Sequence, residues 1–269
     1  MNALDPVSLL LLGLGFPLGR TRARRIAKPL SIFLVYFVEP ILGFWAGVSL
    51  KREYAAALAP LVEIPVALLA LKLFEDCPKK GGGAITSAFG NTIFLGIPAV
   101  LAINGNIDAA VTYAMVTTFI HFITASILSC KKGKAQFQPI AITFILGILL
   151  SPYSSLLKPF LWTKQLAANL AKLGLLILGL SFEFEHLKID REVMKIGLLK
   201  HIALPMLTIP FTLLGGGKAI FVEASMPPAF MNIALAYVYG FDIKMVTKAV
   251  ITLTLLWIVA FVPLSFFIH

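Results

Sequence analysis

The sequence predicts an all-α integral membrane protein with ten transmembrane helices and very little chain outside the bilayer. Of its 269 residues, 59% are hydrophobic and 13% are charged, whereas charged residues make up roughly 25% of soluble domains. Apolar runs recur along the whole chain with only short charged breaks between them. Because about 20 apolar residues cross the hydrocarbon core as a helix, ten such helices use most of the chain and leave no room for a separate soluble domain.

Charged breaks delimit the ten predicted spans. They cover approximately residues 4–19, 29–50, 54–74, 83–104, 107–129, 138–157, 165–184, 194–214, 218–240 and 245–268. The first apolar run does not have the order of a signal peptide, because its basic residues follow the run instead of preceding it. We therefore expect an uncleaved first helix whose N-terminus lies outside the cell.

Basic residues give the orientation of the spans. The formal net charge is +10, and most Lys and Arg residues lie in the loops that follow spans 1, 3, 5, 7 and 9, as Arg24 and Lys132 do. Cytoplasmic loops carry an excess of these residues. We therefore predict a multi-pass protein of the cell (plasma) membrane with both termini on the non-cytoplasmic side. Topology explains the charge, and no nucleic-acid partner is expected.

The chain divides into two halves at the basic segment CKKGKAQ. Residues 1–134 form a first five-helix repeat and residues 135–269 a second. Five is an odd number, so the second repeat must be inverted relative to the first, as in many secondary transporters. The halves also correspond in detail: the fourth span of each is broken by proline, and the third spans carry Pro65 in one half and Pro205 in the other.

The two broken spans are where we expect the substrate site. Span 4 reads SAFGNTIFLGIPAVLAING, and span 9 reads EASMPPAFMNIALAYVYG. Proline removes a backbone donor and blocks the preceding turn, and irregular backbone at membrane depth is tolerated only where protein buries it or water reaches it. An ordinary proline kink is the alternative for either span alone. The candidate substrate-binding residues are Asn91, Thr92, Gly96, Pro98, Pro227, Pro228 and Asn232.

The motifs GNTIFLGIPAVLAING and SMPPAFMNIALAYVYG resemble those of the auxin efflux carrier family, and LSIFLVYFVEPIL and LGLLILGLSFE resemble two of its other spans. The resemblance follows the order and spacing of nearly the whole chain. It implies the fold of bile-acid/sodium symporters, with a panel domain, a core domain and crossing fourth and ninth spans. It also implies that Asn91, Pro98, Pro227 and Asn232 lie at the crossover and contact a small organic anion such as auxin, malate or malonate.

Two departures from that family affect the expected substrate. The long hydrophilic loop of plant carriers is missing, which favours a prokaryotic-type carrier over one for auxin itself. Glu39 stands directly before Pro40, where the family pattern leads us to expect an apolar residue.

Four ionisable residues inside predicted spans are candidates for coupling transport to H⁺ or Na⁺. They are Glu39, Glu63, His121 and Glu223. Such groups are costly in a membrane and are functional candidates by default. The alternatives are a structural hydrogen bond for Glu39 and Glu63, a satisfied interior histidine for His121 and a solvated face for Glu223. Lys200, by contrast, is expected to snorkel to the cytoplasmic interface.

Small residues and cysteines are expected to serve packing only. GxxxG spacing, which lets helices approach closely, occurs at Gly15/Gly19 and at Gly43/Gly47. We interpret both pairs as packing within the monomer, although a homodimer stays open. Cys77 and Cys130 fall at span ends on the predicted cytoplasmic side, so we expect free thiols.

Together these features predict a secondary active transporter that moves a small organic anion, such as a carboxylate, by elevator-type alternating access. We expect the carboxylate to meet half-helix N-termini after Pro98 and Pro228 together with the amides of Asn91 and Asn232. A sodium-coupled carrier similar to bile-acid symporters, a channel and a membrane enzyme are the alternatives. No HExxH or GxSxG motif is present, so we expect no enzymatic activity, no metal site and no cofactor.

Overall fold

The computed structural model describes residues 6–48, 53–103, 105–130, 139–181 and 187–265, and these ranges contain helices and no strands. The predicted all-α class is therefore confirmed. The α-helices are α1 (Pro6–Gly19), α2 (Ala27–Phe33), α3 (Glu39–Val48), α4 (Tyr54–Leu58), α5 (Glu63–Leu73), α6 (Cys77–Ala88), α7 (Ile97–Ala102), α8 (Ile107–Ile127), α9 (Pro139–Leu150), α10 (Leu161–Ala171), α11 (Leu173–Ser181), α12 (Arg191–Leu198), α13 (Leu204–Phe211), α14 (Gly217–Ala224), α15 (Met231–Tyr239) and α16 (Ile243–Ser265).

Several of these helices continue into one another through π-helical or 3₁₀ turns. The π turns are Leu34–Val38, Thr92–Gly96, Leu199–Ala203 and Thr212–Gly216. Five continuous helices are consequently long and apolar enough to cross a membrane: Arg22–Val48, Tyr54–Leu73, Ile107–Ile127, Arg191–Gly215 and Ile243–Ala260. They coincide with predicted spans 2, 3, 5, 8 and 10.

The other predicted spans consist of shorter pieces. Helix α1 has 14 residues, which corresponds to about 21 Å of rise. Predicted span 4 is divided between α6 and α7, span 7 between α10 and α11, and span 9 between α14 and α15. Each piece is too short to cross a bilayer on its own.

Glycines allow two pairs of helices to pack backbone against backbone. A Cβ added at Gly15 would come within 2.7 Å of the Gly179 Cα, and one at Gly19 within 2.7 Å of the Leu180 carbonyl oxygen. These contacts join α1 to α11. Gly47 packs in the same way against the Phe144 carbonyl of α9, and Gly43 packs against the Ile140 side chain of that helix. The GxxxG pairs therefore pack within the monomer, as their spacing predicted.

Helix α15 is buried along nearly its whole length and packs against α2, α6, α8, α11 and α16. On one face of this group, the N-terminal parts of α6, α12 and α16 carry charged side chains. Lys79 Nζ lies 2.6 Å from Glu192 Oε1, and Lys248 forms an ion pair with Asp190. These pairs join three separate segments of the chain at the end of the helices.

Cys77 and Cys130 form a disulfide on the same face, with their Cα atoms 5.8 Å apart. The expectation of two free thiols is therefore wrong. The prediction failed because it considered only positions in the sequence. The N-terminus of α6 and the residues after α8 lie side by side, although the two cysteines are 53 residues apart in the sequence.

Candidate functional site

Two interrupted helices meet at the centre of the buried group. After α6 ends at Ala88, the chain is extended from Phe89 to Asn91 and then enters the π turn that leads to α7. After α14 ends at Ala224, an irregular segment leads to α15. The Asn91 N–H donates to the Pro227 carbonyl at 2.8 Å, and the Ala229 N–H donates to the Phe89 carbonyl at 3.1 Å. Each interrupted helix thus forms hydrogen bonds with backbone groups that the other leaves unpaired. Irregular backbone inside a membrane requires such partners.

The sequence explains why the chain breaks here. Pro227 and Pro228 have no N–H group and cannot continue the ladder of α14, but their carbonyls remain free to accept. Gly90 pairs with Pro228, and there is no space for a side chain at this position. A Cβ here would lie 2.9 Å from the ammonium nitrogen of Lys200.

Lys200 is fully buried at this crossover, so the prediction that it snorkels to the interface is wrong. Its Nζ donates to the Ala88 carbonyl at 3.1 Å and approaches the Ala224 carbonyl at 3.5 Å. These carbonyls end α6 and α14, where the helix dipoles are negative. The ammonium therefore neutralises the C-terminal ends of both half-helices.

Sequence reasoning missed Lys200 because it placed the start of span 8 at residue 194. The helix begins at Arg191, so Lys200 lies nine residues into it, a rise of about 14 Å. The Asp190 carboxylate accepts from the Val193 N–H, and an aspartate that precedes a helix in this way is the signal that could have located the true start.

Two acidic residues, Glu63 and Glu223, lie near this lysine, and both are fully buried. The Glu63 Oε1 accepts from Thr117 Oγ1 at 3.0 Å and from the Tyr113 hydroxyl at 3.3 Å. Neither carboxylate oxygen of Glu223 has a hydrogen-bond partner within the described ranges. Lys200 is the cation that acts electrostatically on both acids.

This triad of Glu63, Lys200 and Glu223 carries one more acid than base. If both acids were ionised, one negative charge would remain in a low-dielectric interior at high cost. One proton or one monovalent cation would balance it. The predicted coupling residues Glu63 and Glu223 therefore share one buried cluster with Lys200, whereas Glu39 and His121 line the cavity beside it.

A cavity of about 40 Å³ lies beside the crossover. Four of the predicted residues line it: Glu39, Asn91, Thr92 and His121. Asn91 is the residue that precedes the second half of the broken helix, and its side chain makes no capping hydrogen bond. A volume of this size holds only a few water molecules, and the cavity is not enclosed on all sides.

Asn232 does not line that cavity but lies next to His121, which does. It is fully buried, and within the part of the chain described its amide forms no hydrogen bond of normal geometry, although the His121 imidazole lies within reach of it. The His121 ring also stacks on the Phe89 ring, with 4.4 Å between ring centroids. A buried amide without a well-formed hydrogen bond is costly, which makes Asn232 a candidate ligand for a group that enters the site.

Gly96 and Pro98, both predicted to bind substrate, do not line the cavity among the residues described. Gly96 packs against the Glu223 carboxylate, where any Cβ would overlap it. Pro98 lies inside α7, and its side chain is outside the described part of the structure. The expected half-helix N-terminus after Pro98 is wrong, because the helix already begins at Thr92 and the π turn accommodates the missing N–H of the proline.

No protein-family model matches the chain, and no curated protein matches it. The inference of function therefore depends on the geometry of the crossover and on the sequence motifs that form it. That geometry offers free N–H groups at Thr92 and Ile93, the Asn91 side chain and the Asn232 amide on one side. It offers a buried cluster of three charged residues on the other.

Proposed function

We propose that this protein is a secondary active transporter that moves a small organic anion, such as a carboxylate, across the plasma membrane by elevator-type alternating access. The observation that carries the proposal is the crossover itself. Two interrupted helices exchange backbone hydrogen bonds at Asn91 and Ala229, beside a buried lysine and two buried acids. Broken helices that meet at membrane depth are typical binding sites of secondary transporters.

The proposed topology has ten spans in two inverted repeats, residues 1–134 and 135–269, with both termini outside. Helix packing supports it. The contacts of α1 with α11 and of α3 with α9 correspond to spans 1 with 7 and 2 with 6. A repeat that relates span 1 to span 6 and span 2 to span 7 converts one of these pairs into the other. The four helices would form the panel domain, and the crossover helices belong to the core domain that moves against it.

The resemblance of the crossover motifs to the auxin efflux carrier family supports the same class of protein. In this proposal the substrate carboxylate binds the first N–H groups of the half-helix that begins at Thr92, where the dipole is positive. The amides of Asn91 and Asn232 donate to its remaining oxygen lone pairs.

In this proposal, the triad couples substrate transport to the movement of an ion. Loading one proton or one Na⁺ onto the Glu63–Lys200–Glu223 cluster neutralises its excess charge, which favours movement of the core through the membrane interior. A sodium-coupled carrier similar to bile-acid symporters is the second candidate. The observation that favours it is Glu223, whose two oxygens have no hydrogen-bond partner in the described ranges and could ligate a cation.

Counterflow in liposomes tests the proposed function. Purified protein is reconstituted, loaded with an unlabelled carboxylate such as malate or malonate, and diluted into the labelled compound. We expect trans-stimulated uptake in the wild type and its loss in Asn91→Ala and Asn232→Ala. Asn169→Ala, at an exposed site in α10, is the matched control and should behave as the wild type. Unchanged uptake in both crossover variants contradicts the site assignment.

A further inference from the structure

One acidic side chain of the cavity belongs to neither the crossover backbone nor the triad. Glu39 is the first residue of α3, directly after the π turn Leu34–Val38. Glu39 is 4% exposed, and it lines the same cavity as Asn91 and Thr92. Among the described residues no hydrogen bond or ion pair is formed by its carboxylate. A buried acid that lines a cavity without a partner is available to a ligand.

The charges around this cavity restrict what the ligand can be. In the described part of the chain no lysine or arginine lines it, and Glu39 and His121 are its only ionisable groups. Lys200 lies behind the cavity wall at Gly90, where it donates to the Ala88 carbonyl and acts on two buried acids. A ligand that was only an anion would therefore lie close to an ionised Glu39 with no cation inside the cavity to pair with either, and like charges at such distances repel.

A protonated Glu39 is the other way to remove the repulsion, but it creates a new donor. A carboxylic acid O–H in an apolar interior needs an acceptor. Within the ranges described, Glu39 has no hydrogen-bond partner, so only a water molecule or the ligand itself could accept such a proton. A cationic group of the ligand pairs with the Glu39 carboxylate directly and needs no such acceptor.

We propose that the transported solute is a small zwitterion, whose ammonium group binds the Glu39 carboxylate while its carboxylate binds at Asn91 and the N–H groups of Thr92 and Ile93. This inference rests on the proposed function and narrows its substrate from organic anions in general to amino acid-like molecules. Phe122 and Phe230 also line the cavity, and the face of an aromatic ring attracts an ammonium group. The two charges of the ligand thus meet opposite partners on α3 and on the broken helix.

Alanine and lactate test this assignment directly, because they differ by an ammonium group in place of a hydroxyl. Counterflow is measured in liposomes for each labelled compound at equal pH on both sides. We expect the wild type to exchange alanine at least tenfold faster than lactate. Glu39→Gln should lose at least tenfold in alanine exchange and keep or gain lactate exchange. Glu39→Asp should retain the preference for alanine, since it keeps the charge.

Glu75→Gln removes an exposed carboxylate and is the matched control, which should retain the wild-type preference. Thermal unfolding in detergent verifies that each variant is folded. Preference of the wild type for lactate overturns the inference, and so does an unchanged ranking in Glu39→Gln. A variant that loses only its dependence on a pH gradient, with the ranking intact, makes Glu39 a proton carrier and also overturns it.

The same measurements separate this inference from the proposed function. If carboxylates without an amino group are exchanged and this exchange requires Asn91 and Asn232, the proposed function stands and the zwitterion is excluded. If neither alanine nor lactate nor any dicarboxylate is exchanged by folded protein, both are overturned.

Discussion

The ammonium of Lys200 donates to the carbonyl oxygen of Ala88 at 3.1 Å, at the point where the first broken helix ends. The second broken helix ends at Ala224, whose carbonyl lies 3.5 Å from the same nitrogen. One buried cation therefore serves two helix ends and two acids. This relationship makes the crossover electrostatically dependent on a single side chain.

Replacement of Lys200 by methionine removes that cation while keeping most of the side-chain volume. We expect a loss of about 3–5 kcal/mol in the free energy of unfolding, because the remaining acids and carbonyls stay buried without compensation. Thermal and denaturant unfolding in detergent measure it. Lys164→Met, at an exposed site in α10, is the control. A Lys200→Met protein as stable as this control contradicts the role assigned to the lysine.

Gly96 is expected to tolerate no side chain. A Cβ there would overlap the Glu223 carboxylate, so Gly96→Ala must displace that acid or its helix. We expect a destabilisation of about 1–3 kcal/mol, together with reduced counterflow. Gly13→Ala is the matched control, because a Cβ at Gly13 meets nothing within 4 Å. It should be neutral or slightly stabilising, and equal effects of the two substitutions on stability would exclude a steric requirement at Gly96.

Reduction of the disulfide should lower stability. Cys77 and Cys130 close a loop over a sequence separation of 53 residues, for which chain entropy predicts an effect of up to about 4 kcal/mol. We expect dithiothreitol to lower the unfolding temperature of the wild type. The double variant Cys77→Ser/Cys130→Ser should unfold at that lower temperature with or without reductant. Reductant sensitivity in the double variant would show that the effect arises elsewhere.

Asp190 should make stability depend on pH. Burial alone would raise the pKa of this carboxyl, but the hydrogen bonds from Lys248 and from the Val193 N–H lower its pKa below the ordinary value. A depressed pKa in the folded state stabilises the protein above the unfolded pKa of about 3.9, and this contribution is lost as the pH falls through the folded value. Asp190→Ala should therefore cost about 1 kcal/mol near neutral pH and progressively less below about pH 4.

Asp190→Asn separates the two contributions of that residue. Asparagine caps a helix N-terminus about as well as aspartate, so this variant keeps the bond from the Val193 N–H and loses only the ion pair with Lys248. We expect a smaller loss of stability than in Asp190→Ala. Parallel unfolding curves from pH 3 to pH 7 measure both. A pH-independent difference between wild type and Asp190→Asn contradicts the lowered pKa.

The sequence predicted the apolar helices and the positions of the two breaks, because hydropathy and proline act locally. It located Asn91 and Glu39 as candidates for the same reason: each is a polar residue within an apolar run. It could not predict that Lys200 reaches the crossover, since that depends on where a helix begins and on which helix ends approach it in space. The pairing of Cys77 with Cys130 is likewise a property of packed helices.

Pro98 shows a limit of another kind. A proline within an apolar run predicts that the helix breaks at or before the proline. How far before it the helix breaks depends on which part of the backbone accommodates the missing N–H group. Here the π turn Thr92–Gly96 allows the helix to begin six residues before the proline. The residues of the first helical turn that line the cavity are consequently Thr92 and Ile93, and no local pattern distinguishes these residues from those after Pro98.

Counterflow with Asn232→Ala tests the transporter assignment most directly, because Asn232 is fully buried at the crossover and its amide forms no hydrogen bond of normal geometry among the residues described. Wild-type liposomes loaded with unlabelled substrate should accumulate the labelled substrate transiently above its external concentration. The folded Asn232→Ala protein should give no such overshoot. Uptake that only equilibrates in the wild type, or an equal overshoot in the variant, would contradict a carrier whose site is the crossing of the two broken helices.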